Sequence, residues 1–247
     1  MKPLVSLILT TLNNSDLLPL TLASIFDQDY PHLEIVIKDG GSTDGTLDII
    51  KEAAAHRDIT WTSGPDKGIY DAMNQGYELS SGSIVAFFND QFATTDAVSK
   101  LVAAIDTAGD CIGAHADLVY VADGRVVRFW RTGDGNIYQG WLPAHPTMFL
   151  KREVYEKYGL YNTDFRLSSD YEYMIRILKD KQNKLAYIPK VLVEMFYGGS
   201  GNNSLGAYWL SMREGHQALR MNGIRGALLI DARRILLVAK QFFVRGR

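Results

Sequence analysis

Cysteine is nearly absent: the 247-residue chain has one, Cys111, so it forms no disulfide of its own and reads as a protein of a reducing compartment. Cys111 lies in an apolar run and is expected as a buried, inert thiol. No apolar stretch approaches the ~20 residues that a membrane span needs. Basic excess is missing as well. Lys and Arg number 26 against 28 Asp and Glu, a formal charge of −2, which argues against a general nucleic-acid binder. Internal repeats and low-complexity tracts are absent. No G-x-G-x-x-G turn follows the first apolar segment, which removes a dinucleotide oxidoreductase. Residues 4–10 superficially resemble a signal peptide, but they carry Ser6 and run into Asn13-Asn14-Ser15-Asp16 with no small-residue cleavage site. They are expected to be a first buried strand of a cytoplasmic protein.

What remains is a chain with 47% apolar and 22% charged residues, ordinary for a soluble domain. Its pattern alternates. Strands are expected at 4–10, 33–38, 59–62 and 83–88, the last without polar alternation, as for a strand covered on both faces. Helices are expected between them, one with Leu18, Leu22 and Ile25 on a face and Ser15 or Asp16 as its cap, another marked by Ile69, Met73, Gly76 and Tyr77. Four such alternations mean an α/β fold with a largely parallel sheet. Thr95 is expected to cap a helix carrying Val98, Leu101, Val102 and Ile105. Then the pattern changes to a β-hairpin, 111–122 and 125–130, around Asp123-Gly124. A Gly-rich piece from Thr132 to Gly140 is expected as a mobile loop, followed by helices at 151–158 and 168–179 and a strand at 184–196.

Chemistry concentrates where strands end. The run Ile35-Val36-Ile37-Lys38-Asp39-Gly40-Gly41-Ser42-Thr43-Asp44 reads as a buried strand, a glycine turn and a helix start capped by Ser42. The crevice beyond the carboxyl ends of such strands is where ligands bind, so Asp39 is either a nucleotide reader or a surface residue of a strand-turn-helix joint. Asp66, Asp90 and Asp170 likewise follow strands or open helices.

The four carboxylates lie within motifs that occur in order: residues 5–14, the Asp39-Gly-Gly-Ser-Thr-Asp-Gly-Thr run, Gly64-Pro-Asp-Lys-Gly-Ile-Tyr-Asp-Ala-Met-Asn74, Gly82 to Asp90, His145-Pro-Thr-Met-Phe-Leu-Lys-Arg-Glu and Phe165 to Arg176. In these the chain resembles the family 2 inverting glycosyltransferases of GT-A fold, most of all bacterial members that build surface polysaccharides. The resemblance covers residues 3–204. It implies a GT-A domain at 1–204, with a nucleotide-sugar half (1–95) and an acceptor half (96–204), and a helical tail at 205–247. It further implies a uridine-type pocket lined by Thr10, Asn13, Asp39, Gly41 and Asp66. Lys67 either reaches a phosphate or is solvated. Asp170 is implied as the general base, with the alternative of a helix-capping acid. His145, Tyr171, Gly198 and Gly199 are implied at the acceptor and diphosphate end.

A Mn²⁺ or Mg²⁺ ion is the implied cofactor. The family usually ends the fourth strand with two acids, whereas this chain has Asn89-Asp90-Gln91. A one-residue deletion places Asp90 on the metal-binding position; without it Gln91 takes that place, and metal binding weakens. Two further departures are Leu12, where many relatives have Tyr, and Phe196, where many have Arg before the glycine pair. The expected partners are a nucleotide-sugar donor and a glycan or lipid-linked oligosaccharide acceptor; an oligomer is allowed. A catalytically silent relative that binds nucleotide or glycan is the alternative. In the tail, Leu228, Leu229, Ala232, Ile235, Leu236, Ala239, Phe242 and Phe243 share a helical face opposite Arg233, Arg234, Lys240 and Arg247. This suits either an interfacial helix over 225–247, making the protein peripheral at an anionic inner membrane face, or a helix packed on the domain with a solvated basic side.

Overall fold

Short runs of β-branched and aliphatic residues bounded by polar turns fold as strands where both faces can be covered. The computed structural model describes residues 2–196 and 205–240; Gly198, Gly199 and the last seven residues lie outside them. The first half holds β1 (Val5–Thr11), α1 (Leu18–Phe26), β2 (Leu33–Asp39), α2 (Thr46–His56), β3 (Ile59–Ser63), α3 (Ile69–Glu78) and β4 (Ile84–Phe87). These four strands lie in the order β3-β2-β1-β4, all parallel, so the expected α/β alternation is present and the four carboxyl ends share one edge. Every residue of β4 is buried. Gly76 lets α3 approach β1: a Cβ there would stand 2.5 Å from Ile8 Cγ2.

The second half adds β5 (Gln91–Phe92), α4 (Ala97–Ala108), β6 (Gly113–Ala122), β7 (Arg125–Trp130), β8 (Phe149–Lys151), α5 (Arg152–Tyr158), α6 (Ser169–Leu178) and β9 (Leu185–Phe196). The sheet continues β4-β8-β6-β9-β5, with β7 on β6, making nine strands among the described residues. β8 is antiparallel to both β4 and β6, β9 runs parallel to β6, and β5 antiparallel to β9. The sheet is therefore mixed, with a four-stranded parallel run at its β3-β2-β1-β4 end. The hairpin turns at Asp123 (φ 49°) and Gly124 (φ 70°) as its sequence requires. Two helices, α7 (Leu205–Met221) and α8 (Ala227–Lys240), close the described chain.

Three local capping expectations fail. α1 opens at Leu17 without a side-chain cap, while the N–H groups of Asn14 and Ser15 donate to Thr46 Oγ1 and Asp44 Oδ2. The residue before α2 is Gly45, not Ser42, whose hydroxyl donates to Asp39. α4 starts after Asp96 rather than Thr95. Ile69 is also turned out to solvent, whereas Met73 and Gly76 pack inward. The stretch 132–140 is hydrogen-bonded to its surroundings at its start. Thr132 donates its N–H to Asp117 (2.8 Å), Trp141 Nε1 donates to the Thr132 carbonyl (2.7 Å), and Tyr187 Oη donates to Asp117 (2.9 Å). His115 lies fully buried in this cluster, stacked on Tyr187. Cys111 is buried as expected.

Candidate active site

The shared edge of β3, β2, β1 and β4 is built from their last residues. Asp39 ends β2 and is fully buried. Its Oδ2 accepts from the N–H groups of Gly41 and Ser42, both at 2.9 Å, and from Ser63 Oγ at 2.6 Å; Oδ1 accepts from Ser42 Oγ. Burial pushes this carboxyl up, and the bonds from Ser42, Ser63 and Gly41 outweigh it and hold it below the ordinary carboxylate range. In the free chain Asp39 therefore organises the glycine turn, and Asp66 is the acid left open at this edge. The Asp66 side chain is 14% exposed, takes the Gly68 N–H on Oδ1 (2.9 Å), and has Oδ2 3.6 Å from Lys38 Nζ. Gly40 lies between them: a Cβ there would meet Asp66 Oδ2 at 2.9 Å and Leu12 Cδ1 at 3.3 Å. Leu12 itself is exposed and offers an apolar shelf beside Asp66.

The loops after β1 and β2 are laced together. Asn13, held at φ 49°, accepts the Thr43 N–H at 2.8 Å and donates its own N–H to Ser42 Oγ at 2.8 Å. Gly41 takes φ 91° in the same turn. Thr10 and Asn89 form a reciprocal pair across β1 and β4, each bond 2.9 Å. Lys67 is exposed, its backbone N–H donating to Asp71.

Asp90 follows β4. Among the described residues only Oδ1 is engaged, accepting the Phe196 N–H at 3.3 Å. Burial pushes its carboxyl up to about 7, against a lowering from that N–H. Among the described residues no three His, Cys, Asp or Glu side chains cluster as a ready-made cage. One free, hard carboxylate oxygen still fits a divalent cation that draws its other ligands from a diphosphate and water. The two neighbours are used differently: Asn89 clamps Thr10, and Gln91 enters β5 opposite Glu194.

Asp170 stands in the first turn of α6. Tyr70 Oη, at the start of α3, donates to its Oδ1 at 2.9 Å. Burial and the Asp170 charge both push the Tyr70 phenol up, so it stays a donor. His145 sits close by in a 3-10 turn (His145–Thr147). Its Nε2 is 2.7 Å from Tyr161 Oη, and its ring stacks on Phe87 of β4. Burial pushes the imidazole down while Asp170 pulls it up. Tyr70 and Tyr161 are in ring contact, with centroids 5.7 Å apart. The end of β4, the start of α3 and the start of α6 are thereby joined into one cluster.

A family model described as Glycosyl transferase family 2 matches residues 6–171. This chain belongs to that family. A PGL/p-HBAD biosynthesis glycosyltransferase of Mycobacterium bovis is 31% identical over 221 residues, 81% of this chain and 80% of the relative. An uncharacterized glycosyltransferase of Mycobacterium tuberculosis is 30% identical over 70% of the chain and 68% of its own length. Among solved structures, residues 1–349 of Staphylococcus aureus TarS superpose with a TM-score of 0.71 at 17% identity, over 96% of this chain and 72% of that one. The chain spans only 42% of the longer TarS chain. A Pyrobaculum calidifontis mannosyltransferase, solved with GDP-Man and Mn²⁺, gives 0.66 at 19% identity over 100% of this chain and 77% of that one. These likenesses carry the GT-A fold.

In this glycosyltransferase Tyr171 departs from its expected place. Successive helix residues point about 100° apart. While Asp170 meets Tyr70, Tyr171 is buried among Ile175, Ala218, Leu219 and Ile230, with the Arg234 guanidinium 4.0 Å over its ring. It supports α6 against α7 and α8. Sequence reasoning also passed over two residues. Lys38 is 2% exposed, and its Nζ donates to the carbonyls of Asp39 (2.6 Å) and Gly64 (2.7 Å). The available signal was a cation ending an otherwise apolar strand, since lysine is almost never buried without partners. Tyr70 had no comparable signal, because its partner lies 100 residues away.

Proposed function

We propose that this transferase inverts configuration, moving a sugar from a UDP-linked donor to a hydroxyl of a glycan or lipid-linked glycan in cell-surface polysaccharide or glycolipid synthesis. The observation that carries it is Asp170, held by Tyr70 beside His145 at the carboxyl end of the parallel strands. Asp170 takes the proton of the acceptor hydroxyl as its oxygen bonds to the anomeric carbon. The bond from that carbon to the diphosphate breaks, and its electron pair leaves on the diphosphate oxygen. One displacement inverts the centre, and a base within ~2.6–3.2 Å of the hydroxyl contributes about 10²–10⁴-fold.

Asp66, Leu12, Thr10, Asn13 and Gly41 line the nucleoside slot, with Asp39 and Lys38 setting its shape and Lys67 free to reach a phosphate. Two TarS structures, solved with UDP and with UDP-GlcNAc, support the uridine reading, and the M. bovis relative's name supports a glycolipid-like acceptor. Asp90 would hold Mn²⁺ or Mg²⁺, with Gln91 beside it in place of a second acid. A bound cation supplies positive charge to the leaving diphosphate. His145 faces the acceptor and diphosphate end; Gly198 and Gly199 belong to the same proposal.

The single acid at the metal position favours one other reading, a silent nucleotide-binding relative. The test is release of nucleoside diphosphate from a panel of nucleotide-sugars and lipid-linked acceptors, with Mn²⁺ or Mg²⁺, with and without chelator. Chelator-sensitive turnover that Asp170→Asn reduces by about 10²–10⁴-fold is expected. Tight UDP binding with no release from any donor would establish the silent relative.

A further inference from the structure

The charge of this chain is divided sharply. Residues 205–247 carry eight Lys and Arg against two acids, a net +6, which leaves the first 204 residues at −8 (18 cationic against 26 acidic). Both acids of the tail are buried in internal contacts. Glu214 accepts the N–H groups of Arg166 and Leu167 at 2.9 and 2.8 Å, and Asp231 Oδ2 lies 2.7 Å from His216 Nδ1. Arg234 is drawn inward over Tyr171. Among the described side chains, what α7, α8 and the turn between them show to solvent as charge is thus cationic: Arg213, Arg220, Arg225 and Arg233 are exposed.

The same two helices expose unusual apolar surface. Ala227, Ile230 and Asp231 turn α8 onto the domain. Its exposed stripe, at spacings of three and four, is Leu228, Ala232, Ile235, Leu236 and Ala239. Leu228 is 77% exposed and Leu236 64%, with Leu229 beside them at 56% and Trp209 of α7 at 70%. An amphipathic helix presenting leucines outward beside an exposed arginine has the chemistry of a bilayer interface, and α7 adds an exposed tryptophan.

We infer that the outward face of α7 and α8 docks the protein onto an anionic lipid surface. Charge complementarity favours lipid over a second copy, because a two-fold interface through this face would bring the same arginines of both copies together. Docking also reaches the site. Glu214 grips residues 166 and 167, and Ser211 lies 3.1 Å from Ser168, so the face is braced against the turn that opens α6 at Asp170. On the function proposed above, this sets the general base toward an acceptor held in the membrane; the docking itself does not depend on that reading.

The test is vesicle co-sedimentation of the full chain, without nucleotide-sugar, on phosphatidylcholine alone and with about 30% phosphatidylglycerol. Binding is expected only with the anionic lipid and should weaken at high salt. Leu228→Gln with Leu236→Gln should weaken it at least about tenfold. Arg220→Ala, Arg225→Ala and Arg233→Ala together should weaken it about a hundredfold, at roughly fivefold per charge. All five side chains are exposed, and unchanged circular dichroism will show the variants folded. Equal binding to both vesicle types, no binding to either, or a dimer that the leucine pair abolishes would overturn the inference. Vesicle binding by a chain with no turnover would sink the proposed function and leave docking standing.

Discussion

Lys38→Met is the sharpest probe of how the edge at the end of β2 is held. Methionine nearly matches the lysine stem, so the change removes the ammonium without opening a large cavity. The structure assigns that ammonium two short bonds, to the carbonyls of Asp39 and Gly64, and a 3.6 Å approach to Asp66. Bonds to a charged group are worth about 1.5–3 kcal/mol each, and breaking a buried pair at one partner costs about 3–5 kcal/mol. Asp66 keeps some exposure, so the lower end, about 3 kcal/mol, is expected in urea unfolding at pH 7. The loop 64–68 loses its tie to β2, and with it the placement of Asp66. UDP affinity measured by calorimetry should therefore fall about tenfold, near 1.4 kcal/mol, while kcat at saturating donor changes little. Unchanged stability would refute the bonding account. Lower stability with unaltered UDP affinity would refute the link from Lys38 through Asp66 to the nucleotide.

Asp170→Asn should reduce turnover by about 10²–10⁴-fold and leave UDP affinity within about twofold; a kcat within a few-fold of the parent would remove Asp170 from the chemistry. Tyr70→Phe deletes one bond to a carboxylate at constant ring volume, worth about 1.5–3 kcal/mol, so kcat should fall about 10–100-fold with the donor KM little changed. A loss confined to KM would place Tyr70 in donor binding instead. His115 is fully buried, and burial pushes its pKa from 6.5 down to about 4. The fold thus favours the neutral ring: the stability is fully present above pH 6.5 and is lost as pH falls from there toward 4, by about 3 kcal/mol in all. Urea melts at pH 7 and pH 4.5 should show much of that loss in the parent and not in His115→Gln; an equal acid sensitivity in both would refute it.

The alternation of apolar runs with amphipathic helices determined the parallel half of the sheet, because period and run length are local properties of the chain. The Asp123-Gly124 turn determined the hairpin in the same way, through backbone conformations those two residues tolerate. The six ordered motifs likewise placed the chain in its family and set Asp170 at a helix start. β5 and β8, two and three residues long, exist only through their partners and leave no period to read. The fate of individual polar groups was decided in three dimensions. Ser42 satisfies Asp39 instead of capping α2, Tyr171 props α6 from behind, and Lys38 reaches a loop 26 residues on. Each follows from one physical fact: a buried polar group must find a partner, and that partner's place in the sequence is set by the packing of the sheet. At the last helix the sequence showed one apolar face and left open whether it packs on the domain; only the tertiary structure decided, turning Ile230 inward to the core and leaving Leu228 and Leu236 in the open.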